Sequence, residues 1–416
     1  MIEIPLVYET ENTNVFAPQC LNNYSPHFDR QMPWILQTFQ PSLKIISLAQ
    51  IEDVDWFIYP VIMHEPWFQI RALQGFHHHD YGFWSHISDK VIKALKEKRG
   101  WILIDAAVEP LSDSDLAHLL TALEDCSEFP NDRILLNTHS STYARHPQIL
   151  NHPSWLEMHF CVKGLRHLPP EAWLEGGKIQ RKELHIPPFN EVEWDHVDLS
   201  LSEKRFCCFQ MRWFKHKGSA MILAMLDRID AFKKGYVTAD GLENFFEDYS
   251  AVNGTDVSLL PSRNKSGTLT HIDDIMEPVD FVAPYCMSSG FNAVLEAYYN
   301  EPDLDFIFIT EKIFRNISHG KPFVVTGQRG TLARLHEMGY KTFHPHINEL
   351  YDSLSDQDRV FATFFEIKKL IDMTDEEFSI FEKKLAPIHE HNHKNFQRRV
   401  TAILETFETL RDDCVS

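Results

Sequence analysis

At 416 residues, with 44% hydrophobic residues and 30 phenylalanines, the chain is long enough for two domains with substantial cores. Charged residues make up 24%, which excludes disorder at domain scale. Sixty acidic against forty basic residues give a net charge of -20. That excludes a broad surface for tracking nucleic-acid phosphates, but not a local basic pocket.

The chain opens MIEIPLVYETENTN, without a basic segment followed by an apolar stretch, so a secretory leader is not expected. No run of about 18 apolar residues occurs, so no membrane span is expected either. Seven cysteines stand singly apart from Cys207-Cys208, and no CxxC occurs. This is the pattern of reduced thiols in a cytoplasmic protein.

Residues 1–165 read as alternating strands and helices. Lys44–Ala49, Trp56–Met63, Trp101–Ala106, Arg133–Thr138 and Leu156–Val162 are short apolar runs suited to a parallel sheet covered on both faces. Ser112–Cys126 carries Leu116, Leu119, Leu120 and Leu123 at helical spacing, completing a βαβ unit. Residues 166–203 concentrate Pro169-Pro170, Gly176-Gly177 and Pro187-Pro188 and read as an interdomain linker. A second α/β domain spans 204–357. It starts with a strand at Arg205–Met211 and a helix from near Gly218 that ends near Gly235, followed by an irregular insertion over 236–275. Residues 305–343 read as β-α-β-α-β: DFIFI, TEKIFRNISHG, KPFVVT, the GQRG turn, TLARLHEM closed by Gly339, and YKTF. Residues 358–416 are helical, with a capping box at Thr374 and Glu377 and Pro387 expected to kink or split the last helix.

The chemistry concentrates at Thr310-Glu311-Lys312 and Arg315. These residues follow an apolar run and open a helix, where free backbone N–H groups and the helix dipole favour phosphate. Lys312 and Arg315 are three apart and share a face, so together they can neutralise a diphosphate. Glu311 can accept hydrogen bonds from ribose hydroxyls. The plainer alternative is an N-capped surface helix. Arg212, Lys215 and Lys217 form a second basic cluster between a strand and a helix. Gly327 opens a tight strand-to-helix turn, and Glu349 and Asp352 follow the next apolar run.

ITEKIFRNISHGKPFVV resembles the strand–TEK–helix–GkPf segment of the fucosyltransferase-like branch of GT-B glycosyltransferases. The run TEKIFRNISHGKPFVVTGQRGTLARLHEMGYKTFHPHINELYDSLSDQDR is similar, over about fifty residues, to viral and bacterial proteins carrying TEKtfk…kPFii.g..gtL..L…GFkTF…idEsYD. Here INELYD stands for idEsYD, with Glu349 and Asp352 retained. The resemblance implies a GT-B-like fold: two Rossmann-like domains facing a cleft, with a helical C-terminal extension. It implies a nucleotide-sugar donor, with Glu311 on the ribose, Lys312 on the phosphate, and a further phosphate arginine best matched by Arg212. A glycosyl acceptor hydroxyl would come from a glycan, or from a modified DNA base in a viral setting.

Such folds draw the acceptor-activating base from the N-terminal domain. Glu109, just past WILID, is the first candidate and Asp105 the second. No metal or other cofactor is expected, because the helix start and its cations would do a metal's work. The rival readings are an inactive nucleotide-binding protein and a metal-dependent hydrolase. The latter would use His77-His78-His79-Asp80, or His389 and His393, four apart on a helix. Asp273-Asp274 and the pair Asp303 and Asp305 are the nearest approach to an acidic metal motif. His77, His78 and His79 can instead line the acceptor side.

Overall fold

The structure is a computed structural model that describes residues 3–8, 43–62, 87–106, 133–138, 204–210, 217–239, 285–286, 288–296, 299, 307, 309–318 and 320–416. The described chain is α/β, and its packing divides it into two units.

Among the described residues the first unit holds five strands: β1 Ile4–Tyr8, β2 Leu43–Ser47, β3 Phe57–Ile62, β4 Gly100–Ala106 and β5 Ile134–Thr138. They form one parallel sheet in the order β2-β1-β3-β4-β5. Its strands are apolar on both faces, as Ile4, Leu6, Phe57, Ile58, Ile102 and Leu103 are all fully buried. Helix α1, Asp89–Lys96, starts on Ser88, whose hydroxyl accepts from the Lys90 amide, and buries Val91, Ile92, Ala94 and Leu95.

The second unit holds β6 Lys204–Gln210, α2 Lys217–Arg228, β7 Gly235–Ala239, β8 Ser289–Leu295, α3 Glu311–Ser318, β9 Phe323–Thr326, α4 Thr331–Glu337 and α5 Asp356–Asp372. Its parallel sheet runs β7-β6-β8-β9. Numbered within each sheet, both begin 2-1-3-4, the order of a doubly wound fold that reverses direction between its first and third strands. In the second sheet that reversal lies between β6 and β8.

Helix α6, Asp375–Val415, closes the chain. Its start is the expected capping box: the Thr374 amide donates to Glu377, and the Glu377 amide donates to the Thr374 hydroxyl. Residues 398–416 belong with the first unit. There the Trp101 indole N–H donates to the Leu410 carbonyl at 3.2 Å, and Arg133 pairs with Asp413 at 2.5 Å.

Several expectations need correction. The last helix is not split at Pro387 but runs from Asp375 to Val415. Residues 235–239 are a strand, not the start of an irregular insertion. Ile307 and Ile309, expected in a strand, have no regular structure, and β8 takes the place beside β9. YKTF is not a strand either, because its backbone is taken by side chains. The Lys341 N–H and C=O both bond Asn392 at 2.8 Å, and the Phe343 N–H bonds Glu349 at 2.6 Å. The expected strand Leu156–Val162, helix Ser112–Cys126 and linker 166–203 lie outside the described residues. Among the described residues no helix is long and apolar enough to cross a membrane.

Candidate functional site

The site is built where β8 and β9 end. Leu295 pairs with Thr326 across the two strands, so Glu296 and Gly327 come next, side by side. The Glu296 amide donates to the Thr326 carbonyl at 2.9 Å, extending the ladder by one bond. With period 2, Glu296 falls on the same sheet face as Asn292 and Val294.

The Glu296 side chain is 0% exposed. Its carboxylate accepts from the Thr310 amide at 3.2 Å and the Thr310 hydroxyl at 2.6 Å, and Lys312 Nζ stands 3.9 Å away. A carboxylate so deeply buried persists only with partners of this kind. The Thr310 hydroxyl in turn accepts from the Lys312 amide at 3.3 Å and from Lys312 Nζ at 3.4 Å. Thr310 therefore caps α3 with one donor and two acceptor sites all engaged.

Helix α3 buries Ile313, Phe314 and Ile317 against the sheet. A polar seam fixes its position along β8. The Asn292 side-chain amide donates to Asn316 Oδ1, and Asn316 Nδ2 donates to the Lys312 carbonyl at 2.9 Å. Lys312 itself remains 26% exposed, so its stem lies at the rim of the buried carboxylate.

The neighbouring helix start is arranged differently. Residues 327–330 carry the chain from β9 into α4, and Gly330 adopts φ 88°, which glycine tolerates. A side chain at Gly327 would begin 3.0 Å from the Thr331 hydroxyl and 3.3 Å from Glu296 Cγ, so glycine keeps this edge open. The Asp352 carboxylate accepts from the Leu332 and Ala333 amides at 3.1 Å, and its carbonyl accepts from Gly330 at 3.0 Å. It plugs the start of α4 from twenty residues away. Burial pushes the Asp352 pKa up, against the pull of those amides. Glu349 accepts from the Thr342 hydroxyl and the Phe343 amide, and burial raises its pKa too. Both acids expected at a donor thus accept from the protein's own amides and hydroxyl.

No protein-family model matches the chain, and no curated protein matches it. Solved structures do match over nearly its full length. A point mutant of T4 phage BGT in complex with UDP-glucose shares 10% identity at a TM-score of 0.38, covering 99% of each chain. T4 phage BGT with UDP and Mn2+ shares 10% at 0.33, covering 96% of this chain and 99% of the other. The MnaA–UDP structure from S. aureus shares 13% at 0.34, covering 98% and 97%. Likenesses this faint decide nothing about chemistry.

Thr310, Lys312 and Gly327 are therefore brought together around one carboxylate. Glu311 and Arg315 lie in the first turns of α3, and Lys217 opens α2. Asp105 lies near the carboxyl end of β4, paired with Ile62 and Asn137. Arg212, Lys215, Glu109 and the cluster His77, His78, His79 and Asp80 lie outside the described residues. His389 packs on the Phe343 ring, with centroids 5.7 Å apart, and burial with Lys321 nearby lowers its pKa to about 4. His391 Nε2 bonds the Gly339 carbonyl at 2.9 Å. Among the described residues no group of three or more His, Cys, Asp or Glu is arranged to hold a metal.

Two features went unread in the sequence. Glu296 ends the run SGFNAVL, and a lone acid closing an apolar run was the available signal. Arg329 is exposed in the turn after β9, a cation at the same edge.

Proposed function

We propose that this chain is a glycosyltransferase that moves a sugar from a nucleotide-sugar donor to an acceptor hydroxyl. The carrying observation is that the Thr310–Lys312 segment is tied to the carboxyl end of β8, beside the point where the second sheet reverses its order. Ligands of open parallel sheets bind at such edges.

In this reading Lys312 takes the donor phosphate, with Arg212, Lys215, Lys217 and Arg315 as further cations. Glu311 accepts from the ribose. Gly327 keeps the edge open for the donor. The cations and the α3 start balance the leaving diphosphate, so transfer proceeds without a metal. Glu109, or failing it Asp105, takes the acceptor proton. The acceptor is a glycan hydroxyl or the hydroxyl of a modified nucleobase.

The test is a thermal-shift screen against UDP-, GDP-, CMP- and ADP-sugars, followed by acceptor-dependent release of the nucleoside diphosphate. One donor class should raise the melting temperature by mass action and turn over, with activity kept in EDTA. Glu109→Gln should slow turnover by about 10²–10⁴-fold with donor binding intact. A chain that no nucleotide-sugar stabilises is not a transferase of this kind. Binding without turnover on any acceptor would favour an inactive nucleotide-binding protein.

A further inference from the structure

We propose that Glu296 is a positioning residue: its buried carboxylate sets where the Lys312 ammonium stands, ready for the donor diphosphate. This rests on Lys312 being the donor-phosphate cation.

The first ground is that the charge at 296 is buried and has a cation beside it. Glu296 accepts from the Thr310 amide and hydroxyl, at 3.2 and 2.6 Å. A carboxylate 0% exposed is costly to desolvate, and a cation close by offsets that cost. Lys312 supplies such a cation, with Nζ 3.9 Å from Oε2.

The second ground is that the backbone of Lys312 is already held on both sides. Its amide bonds Thr310 Oγ1 at 3.3 Å, and its carbonyl accepts from Asn316 at 2.9 Å. Asn316 is in turn held by Asn292, four residues before Glu296 on the same strand face. Beyond the backbone, the flexible four-carbon stem must also be placed for the ammonium to meet a ligand. A fixed counter-charge at its tip removes part of the ordering cost that binding would otherwise carry. The third ground is the space kept beside the carboxylate, where a Cβ at Gly327 would stand 3.3 Å from Glu296 Cγ.

The experiment joins a titration to a double-mutant cycle. After reductive 13C-methylation, the Lys312 signal is assigned by its loss in Lys312→Arg and followed against pH. In Glu296→Gln its midpoint should fall by about one pH unit or more, the effect of removing an opposite charge at this range. The tightest binder among UDP, GDP, ADP and CMP should bind about five- to tenfold more weakly to Glu296→Gln. In a Lys312→Ala background the same change should add no further loss, because Glu296 acts through Lys312. Should the glutamine variant not fold, Glu296→Asp withdraws the charge by one methylene and should give both effects in smaller measure. An unchanged Lys312 midpoint in whichever variant folds overturns the proposal. So does an equal loss of affinity in both backgrounds, which is what a merely structural role produces. A midpoint that moves while Lys312→Ala leaves every nucleotide affinity unchanged overturns the donor reading instead, and leaves the pairing standing.

Discussion

Helices α3 and α4 start at the same edge of the same sheet, on either side of β9, yet their starts are dressed in opposite ways. At α4 the Asp352 carboxylate occupies the amides of Leu332 and Ala333. At α3 a neutral threonine caps, and a half-buried lysine stands by, its charge balanced from beneath by Glu296. A helix start is an anion site only while its amides and its field are unspent. An internal carboxylate has already answered the call at α4, whereas the polar partners at α3 leave a cation at the rim.

The largest expected effect breaks this contrast from the α3 side. Lys312→Ala should weaken the tightest nucleoside diphosphate by about 1.5–3 kcal/mol, the range for a hydrogen bond to a charged group, as read by calorimetry on folded protein. Asp352→Ala should do the reverse. It leaves the amides of Leu332 and Ala333 without their acceptor and should lower unfolding free energy by about 2 kcal/mol in a denaturant melt, with nucleotide affinity within about twofold of wild type. If both variants lose affinity alike, the two helix starts are not functionally distinct.

Gly327→Ala sharpens the comparison at the boundary between the two starts. The new methyl would press on Thr331 and Glu296 at 3.0 and 3.3 Å. Stability should fall by about 1–2 kcal/mol, with a parallel loss of nucleotide affinity because the carboxylate under Lys312 is displaced. An affinity loss confined to Lys312→Ala would show that this edge does not shape the donor pocket.

The smallest effect concerns the support behind both helices. His389 has a folded pKa lowered to about 4, first by burial and then by Lys321, against an ordinary 6.5. Between those values the unfolded chain takes up the proton and the folded chain does not, so stability falls as pH falls through that window. Melting temperature measured from pH 7 to 4.5 should decline more steeply in wild type than in His389→Leu. Equal slopes would remove His389 from the balance.

Much of the frame was legible in the sequence. The runs at 57–62, 100–106, 134–138, 204–210 and 323–326 are apolar and short, and they are strands because both faces of a parallel sheet are buried. The start of α3 was legible because a cap and a cation pair are local signals. β1 was hidden by Pro5, which argues against a strand from sequence alone. β8 was hidden by its own polar residues: Gly290 and Asn292 interrupt the apolar pattern, and Asn292 is accommodated in the core by Ser289 and by Asn316 from α3. YKTF resembled a strand until Asn392, 51 residues away, claimed its backbone. The internal partners of Glu349 and Asp352 were hidden for the same reason. A carboxylate at a sheet edge suits a ligand or a helix start equally, and only the fold shows which one it meets.

Hydrogen exchange by mass spectrometry, with and without a saturating nucleoside diphosphate, asks the question directly of the unmodified protein. Peptides covering residues 310–316 should exchange more slowly when the nucleotide is bound, while those covering 330–337 stay as they were. Protection at 330–337, or none at 310–316 under conditions where calorimetry shows binding, would mean that the diphosphate does not sit at the start of α3.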